Sequence, residues 1–387
     1  MTAKEILVIG AGLGGLTAAN ALARKGFRVR VFEQAAALGE VGAGITLSSG
    51  AMRCFELLGL DARVRDISQE TLNVPFRHYR TGALLRAGFD TKPRSATARA
   101  ARQIHRADLH ALLATALREV AADPIVLDSR LVRFSQAGRR VTAHFASGDS
   151  ASGDLLVACD GVRSAVRDRI CGPQKLSFTG QVAFRCLVPM DRLRGILPSG
   201  DGAVFIGPGH TINRYPLRRG AIMNCVGLAR TDSWQQEGWN TPATNAEFLA
   251  QFEGWHAEVT GLIAASPADR IIKWALFARD PLPNWTSGRV TLLGDAAHPM
   301  LPFLGLGAVM AIEDGLVLAR MLEAHDDLDV AVERYEAARK PRTSLVYEAS
   351  NLQGRLSQAE DPENYGLVQS PAHDPAVFDF DPLAIAV

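Results

Sequence analysis

The sequence has almost no net charge, few cysteines and no long apolar run. Its 42 Lys and Arg residues nearly cancel its 41 Asp and Glu residues, so the chain has no overall field that would attract nucleic acid or an anionic membrane. The five cysteines are scattered and form no CxxC pair, which predicts neither a disulfide framework nor a metal site and suits a reducing, cytoplasmic compartment. No apolar run approaches about 18 residues and the N-terminus carries no secretion signal, so we expect no membrane partner.

Glycine, by contrast, is abundant. The chain holds 35 glycines in 387 residues, about 9%, against about 7% in ordinary proteins. Apolar residues make up 47%, which is enough to bury a large core, and the length predicts two domains. The positions of the glycines therefore decide the interpretation.

The chain opens with a dinucleotide-binding pattern. Residues 6–9 form a continuous apolar run, typical of a strand buried on both faces of a parallel sheet. A glycine motif, a run of helix formers at 16–25 and a second strand at 28–32 follow, and Glu33 ends that strand. The motif matches GxGxxG and reads Gly10-Ala11-Gly12-Leu13-Gly14-Gly15.

Each part of this pattern has a physical task at a dinucleotide. Gly10 permits a tight turn, Gly12 lets the backbone approach a pyrophosphate, and Gly15 lets the helix pack closely on the strand. The helix N-terminus offers partial positive charge to the phosphates. The Glu33 carboxylate can accept hydrogen bonds from a ribose diol. The unit predicts a dinucleotide site but does not choose between NAD and FAD.

Two later apolar runs lead into an aspartate. Residues 154–159 precede the pair Asp160-Gly161, and residues 289–293 precede the pair Gly294-Asp295. An acid at the carboxyl end of a parallel strand faces the crevice where ligands bind. Asp295 is therefore placed to bond a polyol chain.

The remaining segments predict a second domain and helices around it. Residues 104–117 predict a helix, with Arg106 near its start. From about 176 to 272 the pattern alternates and is rich in β-branched residues, which is typical of a mostly antiparallel sheet. A helix predicted at 309–322 would aim its N-terminal N–H groups at whatever lies before it. Residues from 357 onward, with several prolines, predict an irregular tail.

In this order, the three motifs resemble the fingerprints of the group A flavoprotein monooxygenases, which have the para-hydroxybenzoate hydroxylase fold. The closer similarity is to the branch of salicylate hydroxylase, 3-hydroxybenzoate 6-hydroxylase and 6-hydroxynicotinate 3-monooxygenase. Supporting stretches are Gly42-Ala43-Gly44-Ile45 and Ala311-Ile312-Glu313-Asp314-Gly315.

The resemblance implies an α/β fold with a Rossmann-like FAD-binding domain of the GR2 type, an inserted, mostly antiparallel β-sheet substrate domain and C-terminal helices. The FAD-binding domain would comprise residues 1–75, 100–175 and 273–350. The substrate domain would comprise residues 76–99 and 176–272, and an irregular C-terminal tail would span 351–387.

The resemblance also implies FAD as cofactor, NADH or NADPH as reductant and O2 as co-substrate. Arg106 would contact the flavin, Asp295 the ribityl chain and Leu131, through its backbone, the adenine. Asp160 would serve both the flavin and NAD(P)H. The residues implied at FAD are Gly10, Gly12, Gly14, Gly15, Glu33, Gln34, Arg106, Leu131, Asp160, Gly294, Asp295, Leu306, Gly307 and Ala308. Relatives usually have Gln where this chain has Leu306, so a side-chain amide near the flavin is lost while the backbone donors persist.

The implied reaction is hydroxylation of a small, electron-rich aromatic compound through a flavin C4a-hydroperoxide. Such chemistry needs an apolar, dry pocket with a hydrogen-bonding group at the substrate hydroxyl. Tyr215 and His210 match residues with substrate-side roles, and Pro299 is implied at the flavin face. In the opposing interpretation, Tyr215 is a core aromatic residue and His210 a surface turn residue.

Departures from the family pattern leave the substrate open. Thr46 stands where the hydroxynicotinate enzymes have a catalytic histidine. The resemblance therefore does not identify the substrate as a hydroxybenzoate, a salicylate-like compound or a hydroxypyridine carboxylate. The alternatives are a same-fold hydroxylase of a larger polycyclic or quinolone substrate and a non-catalytic FAD-binding regulator. The family implies a monomer or a homodimer.

Overall fold

The computed structural model of the protein describes residues 3–39, 43–71, 74–87, 98–173, 176–197, 200–232 and 241–387. Gly42 of the first supporting stretch, and residues 88–97 of the predicted segment 76–99, lie outside the described residues.

The described residues form strands, helices and short 3₁₀ turns. The strands are β1 (Glu5–Ile9), β2 (Arg28–Phe32), β3 (Gly44–Leu47), β4 (Ser68–Glu70), β5 (Phe76–His78), β6 (Leu84–Arg86), β7 (Arg102–His105), β8 (Ile125–Val126), β9 (Leu131–Ala137), β10 (Arg140–Phe145), β11 (Ser150–Gly153), β12 (Leu155–Ala158), β13 (Ser177–Pro189), β14 (Ala203–Gly207), β15 (His210–Leu217), β16 (Ile222–Arg230), β17 (Thr241–Pro242), β18 (Ile272–Ala278), β19 (Thr286–Ser287) and β20 (Val290–Leu292).

The helices lie mainly in the first and last thirds of the chain. They are α1 (Leu13–Arg24), α2 (Ser49–Leu57), α3 (Asp61–Asp66), α4 (Arg106–Arg118), α5 (Ala165–Cys171), α6 (Asn245–Gln251), α7 (Ala257–Ala264), α8 (Gly307–Ala324), α9 (Leu328–Ser357) and α10 (Pro375–Phe378). The 3₁₀ turns are Met190–Leu193, Ala268–Arg270, Gly294–Ala296, Pro302–Leu304, Pro362–Leu367, Pro371–His373 and Pro382–Ala384. Within the ranges that the structure describes, none of the helices has the length and apolar character needed to cross a membrane.

The sheet that carries the glycine motif is parallel at its centre. β1 lies between β2 and β12, and β12 in turn pairs with β20, in the order β19-β20-β12-β1-β2-β8. Ile6, Leu7 and Val8 of β1 have no exposed surface, as the continuous apolar run predicted. The carboxyl ends of β1, β12 and β20 lie side by side, which brings the three sequence motifs to one edge of the sheet. The predicted α/β fold is confirmed.

Helices α1 and α8 pack against each other at unusually short range. A Cβ atom added to Gly14 would lie 2.9 Å from the Ala311 Cβ, and one added to Gly315 would lie 2.7 Å from the Ala18 nitrogen. Larger residues at these two positions would push the helices apart. The glycines therefore fix the separation between the two helices.

A second, mostly antiparallel sheet has the order β17-β18-β13-β16-β15-β14-β5-β6, with β14 and β5 parallel. One face packs on α6 and α7 through an aromatic core that includes Phe184, Phe248 and Phe252. The strands come from the segments predicted for the substrate domain, and β18 extends into the segment predicted for the FAD-binding domain. Two small sheets, β3-β7-β4 and β11-β10-β9, complete the arrangement.

Two sequence predictions are wrong in their boundaries. Ile104 and His105 belong to strand β7, and the helix begins at Arg106, because β7 pairs with both β3 and β4 before the chain turns. The boundary at residue 351 falls inside α9, which continues to Ser357. Beyond it, the predicted irregular tail contains short helical turns and buries Tyr365, Ala372 and Val377.

Candidate active site

A cavity of about 570 Å³ lies between the parallel sheet and the second sheet. It runs from the N-terminus of α1 past Asp295 to the N-terminus of α8, and then along one face of β14, β15 and β16. On the parallel-sheet side its walls include Gly12, Leu13, Gly14, Gly15, Arg106, Cys159, Gly161, Leu293, Gly294, Asp295, Gly307 and Ala308. Motifs that are far apart in sequence therefore share one cavity.

The glycine motif shapes the end of the cavity at α1. A Cβ added to Gly15 would overlap the carbonyl oxygen of Gly10, and one added to Gly10 would lie 2.5 Å from the Cys159 oxygen. A Cβ on Gly12, by contrast, would meet no atom of the described residues within 4 Å and would project into open space. No side chain caps α1 and no acid lies in its first turn, so its first N–H groups are available to an anion. This is the geometry that a pyrophosphate requires.

Glu33 ties the glycine motif to the end of β2. Its Oε2 accepts a hydrogen bond from the Ala11 N–H at 2.8 Å, and its Oε1 accepts one from the Ala35 N–H at 2.9 Å. The Ser129 N–H donates to the Glu33 carbonyl, which brings the start of β9 at Leu131 near this acid. Gln34 is exposed beside it. Glu33, Gln34 and Leu131 lie beyond the cavity wall, on the side where an adenosine would extend.

Asp160 is a partly buried acid whose Oδ1 atom is buried and unsatisfied. Its Oδ2 accepts a long hydrogen bond of 3.4 Å from the Val166 N–H, and its Oδ1 has no partner among the described residues. Burial raises the pKa of Asp160, and hydrogen bonds from Ser164 and the start of α5 offset part of that rise. Its neighbours Cys159 and Gly161 line the cavity. Asp160 is therefore an acceptor next to the space that a cofactor would fill.

Asp295 lies at the middle of the cavity. Its side chain is exposed, and no described residue donates a hydrogen bond to it. It follows Gly294, whose φ of 63° and close approach to Ala311 set the turn after β20. An unpaired carboxylate in this position can accept hydrogen bonds from a ribityl chain.

The start of α8 lies at the other end of the cavity from the start of α1, on the side of the parallel sheet. Gly307 and Ala308 line the cavity, the helix has no side-chain cap, and no acid lies in its first turn. The N–H groups of this first turn are therefore available to negative charge. Leu306 is 2% exposed and does not line the cavity, so the residue that replaces glutamine packs into the core.

One face of the second sheet forms the opposite wall. Thr211, Asn213 and Tyr215 alternate along β15 and all line the cavity, whereas Arg214 points away and pairs with Glu258. Asn213 lies between Val204 and Val226 on the neighbouring strands, and its Oδ1 is buried without a partner in the described chain. An unsatisfied acceptor in an apolar setting is costly unless a ligand supplies the donor.

Tyr215 is held where the second sheet contacts the part of the protein predicted to bind FAD. Its ring packs on Gly44, where an added Cβ would lie 2.6 Å from the tyrosine oxygen. The Gly44 N–H donates to Asn224 Oδ1 at 2.9 Å, and Asn224 is the cross-strand neighbour of Tyr215. Burial raises the pKa of Tyr215, so its hydroxyl stays neutral. No described residue hydrogen-bonds to this hydroxyl, which lies at the wall of the cavity.

The comparisons with known proteins agree with this geometry. The model of the FAD binding domain family matches residues 3–350. The 6-hydroxynicotinate 3-monooxygenase of Pseudomonas fluorescens is 33% identical over 386 residues, which cover 96% of this chain and 98% of that protein.

The chain belongs to the FAD-dependent aromatic monooxygenases.

Two further relatives of this monooxygenase support the assignment. The 3-hydroxybenzoate 6-hydroxylase of Polaromonas naphthalenivorans strain CJ2 is 34% identical, over 92% of this chain and 88% of its own. A solved salicylate hydroxylase substrate complex has a TM-score of 0.81 and 25% identity, and the match covers 99% of this chain and 97% of that one. The family uses FAD, NAD(P)H and O2.

The cavity of this monooxygenase fits FAD. Gly12 leaves open space at an uncapped helix, Asp160 has an orphaned buried oxygen, and Asp295 has no partner among the described residues. Gly12 and Asp295 line the cavity itself, and Asp160 lies between the lining residues Cys159 and Gly161. Arg106 lines the same space at the start of α4.

Two predicted catalytic residues of this monooxygenase lie outside the cavity wall. His210 begins β15 on the face opposite Tyr215, where its ring contacts Phe252 and Trp255 and its Nδ1 lies 2.9 Å from the Pro208 oxygen. Pro299 does not line the cavity, whereas Pro302 does. We therefore leave His210 and Pro299 out of the proposed catalytic set.

Sequence reasoning missed the buried residues that hold the cofactor loops in place. His110 donates from Nε2 to the Ala11 carbonyl at 2.7 Å. Asp314 Oδ2 accepts hydrogen bonds from the Gly294 N–H at 3.1 Å and from His298 Nε2 at 2.6 Å. Burial acts to raise the pKa of Asp314, but His298 and Arg339 outweigh it and lower the pKa below its usual value. An acid within the apolar pattern of α8 is the one sequence signal that could have indicated this role.

Arg99 lines the cavity and forms a two-point ion pair with Glu56 of α2. Arg99 Nε donates to Glu56 Oε2 at 2.8 Å and Arg99 Nη2 donates to Oε1 at 3.0 Å. The hydrogen bond from Arg99 is the main cause that lowers the pKa of Glu56 from 4.5 to about 2. The pair fixes the edge of the cavity next to α2.

The stability of the Glu56→Gln variant should depend less on acidic pH than that of the wild type. A carboxyl group with a folded pKa of about 2 and an unfolded pKa of 4.5 stabilises the fold fully above pH 4.5 and loses that contribution as the pH falls towards 2. The urea midpoint of the variant should therefore fall less steeply between these pH values than that of the wild type. The exposed Glu348→Gln variant on α9 is the control, and an equal slope in Glu56→Gln would contradict the ion pair.

Proposed function

We propose that this monooxygenase hydroxylates a phenolic or hydroxypyridine-type aromatic compound, such as a hydroxybenzoate, a salicylate-like acid or a hydroxypyridine carboxylate. The observation that carries the proposal is that Tyr215 and Asn213, whose Oδ1 is orphaned, line one face of the cavity that also contains the start of α8. These groups can hold a substrate oxygen in a cavity whose wall also includes the apolar side chains of Val226, Leu228 and Phe303. The names of the relatives support the same substrate class.

The residues of the chain have distinct tasks in such a reaction. Bound FAD supplies the chemistry by which NAD(P)H and O2 deliver one oxygen atom to an aromatic ring. The N–H groups of Gly307 and Ala308 stabilise negative charge at the edge of the cofactor. The Tyr215 hydroxyl, which stays neutral, donates a hydrogen bond to the substrate oxygen, and Asn213 Oδ1 accepts one from a protonated group. Val226, Leu228 and Phe303 exclude water.

A panel of compounds tests the proposal. The FAD-loaded protein is mixed with NADH or NADPH and with hydroxybenzoates, hydroxypyridine carboxylates or quinolones in turn. Oxygen consumption is measured, together with product mass. The proposal expects at least one hydroxybenzoate or hydroxypyridine to accelerate NAD(P)H oxidation and to gain one oxygen atom. If no compound does so, the non-catalytic FAD-binding regulator becomes the better interpretation.

Asp374 and Asp379 favour a second candidate. Both acids line the same cavity as Arg99 and Arg106, so a carboxylate that lies nearer to the acids than to the arginines would be repelled. A larger aromatic substrate without a carboxylate, such as a quinolone, would avoid this cost. Activity confined to the quinolones of the panel would support this candidate over the first.

The Tyr215→Phe variant should lower kcat/KM for the accepted substrate about tenfold, because it removes one hydrogen bond to the substrate oxygen. FAD content should not change, since Tyr215 contacts the Gly44 backbone through its ring. Steady-state kinetics and the flavin absorbance of the purified protein measure both effects. Tyr347→Phe on α9, outside the cavity, is the control. An unchanged kcat/KM would remove Tyr215 from the set of substrate contacts.

We also propose a reducing, cytoplasmic compartment. The described cysteines are all free thiols, and the reductant of the family is NAD(P)H. Localisation of a tagged full-length chain by microscopy or fractionation tests this.

A further inference from the structure

The C-terminal segment, residues 359–387, lies beyond the part of the chain that the FAD binding domain model matches. It first packs on the second sheet. The Tyr365 ring lies 4.7 Å from the Phe76 ring, and Arg86 Nη1 donates to the Val368 carbonyl at 2.6 Å. Tyr365 is 2% exposed, and its hydroxyl bonds to Gln353 of α9. These contacts anchor the first half of the segment to the substrate side of the molecule.

The second half of the segment is anchored on the cofactor side. Arg342 of α9 donates to the Ala376 carbonyl at 2.9 Å and to the Val377 carbonyl at 2.8 Å. The Phe380 ring lies 4.7 Å from the Arg342 guanidinium and 5.4 Å from that of Arg339. The segment therefore bridges the two halves of the protein.

Between its two anchors, the segment forms part of the cavity wall. His373, Asp374, Pro375, Phe378 and Asp379 all line the cavity together with Thr211, Tyr215 and Asp295. The His373 ring lies 5.9 Å from the Phe76 ring at the substrate end, and Phe378 packs against the large core at the cofactor end. The cavity is thus bounded by residues that the family model does not cover.

We propose that the C-terminal segment shields the cavity from water and that His373, at the substrate end, determines which aromatic substrates fit. The proposal rests on the proposed hydroxylase function. In coupled turnover, the two electrons of NAD(P)H and one O2 place one oxygen atom in the ring and release the other as water. When water enters the cavity, the same two electrons and two protons convert O2 to hydrogen peroxide and the substrate is released unchanged.

The test compares His373→Ala and Phe378→Ala with Leu367→Ala. Leu367 belongs to the same segment but is 85% exposed and does not line the cavity. All variants are studied as full-length, FAD-loaded protein with FAD content matched to the wild type. His373→Ala keeps the test valid if Phe378→Ala loses FAD, because the partly buried His373 makes fewer core contacts.

The first measurement needs no substrate. Iodide quenching of the bound FAD fluorescence should be at least about threefold stronger in the two wall variants than in Leu367→Ala, because the cavity opens to solvent. Equal quenching in all three variants would overturn the shielding, whether or not the protein hydroxylates any compound of the panel.

The second measurement uses a substrate that the panel has identified. The wall variants should release a larger share of consumed O2 as hydrogen peroxide, and His373→Ala should raise KM about tenfold while kcat for NAD(P)H oxidation changes little. An unchanged KM and an unchanged peroxide share would overturn the specificity role. Failure of the wild type to oxidise NAD(P)H with any aromatic compound would instead count against the proposed function, so the two failures can be told apart.

Discussion

Replacing Arg339 by methionine should lower the free energy of unfolding by about 3–5 kcal/mol. Arg339 has no exposed surface; its Nε donates to Asp314 Oδ1 at 2.6 Å and its Nη2 to Glu313 Oε2 at 3.0 Å. Both acids are also fully buried. The variant would leave two buried carboxylates with less positive charge to balance them. Asp314 would also no longer hold the Gly294 loop firmly. Urea unfolding, followed by circular dichroism with and without FAD, measures the change.

The matched control for this prediction is Arg334→Met. Arg334 lies on the exposed side of the same helix, where a substitution should change the free energy of unfolding by no more than about 0.5 kcal/mol. Adding Glu313→Gln to Arg339→Met should restore part of the loss, because it removes one uncompensated charge. Equal stability of Arg339→Met and Arg334→Met would show that the buried cluster contributes nothing to folding.

The Gly12→Ala variant should weaken FAD binding about 100-fold, equivalent to about 2.7 kcal/mol, while leaving the apoprotein as stable as the wild type. The added methyl group would meet no atom in the part of the chain that the structure describes, but it would occupy the space above the uncapped start of α1. Gly15→Ala should behave differently, because its methyl group would overlap the Gly10 carbonyl oxygen and disturb the fold itself. FAD dissociation constants and apoprotein melting temperatures separate the two effects.

Gly39→Ala provides the control for the glycine variants. Gly39 is exposed, an added Cβ meets nothing within 4 Å, and it lies outside the cavity wall. Its FAD affinity should equal that of the wild type. If Gly12→Ala also binds FAD with unchanged affinity, the pyrophosphate does not lie above α1.

Local sequence patterns were sufficient to predict the strands of the parallel sheet. The runs at 6–9, 28–32, 154–159 and 289–293 all became strands of one sheet, because a strand buried on both faces needs a continuous apolar run and a turn residue at its end. The aspartates that follow such runs could be placed at the sheet edge for the same reason.

Contacts between distant side chains could not be predicted in this way. The bond from His110 to Ala11 and the pairing of Arg339 with Asp314 depend on how helices pack, which local pattern does not specify. The C-terminal segment looked irregular because its short turns have no periodic apolar face. His210 was a different case, since alternation along β15 already places it with Arg214 rather than Tyr215.

The strand order of the parallel sheet also has a consequence for biosynthesis. β1 pairs with β2, which follows it closely in the sequence, but its other neighbour β12 and the next strand β20 lie further along the chain. The nascent chain must therefore hold one edge of the apolar β1 unpaired until β12 has been made, and such long-range pairing slows folding. The cavity also needs the Gly294-Asp295 turn after β20 and the wall at residues 373–379, which are made later still. Tight FAD binding should accordingly begin only after these residues have been synthesised.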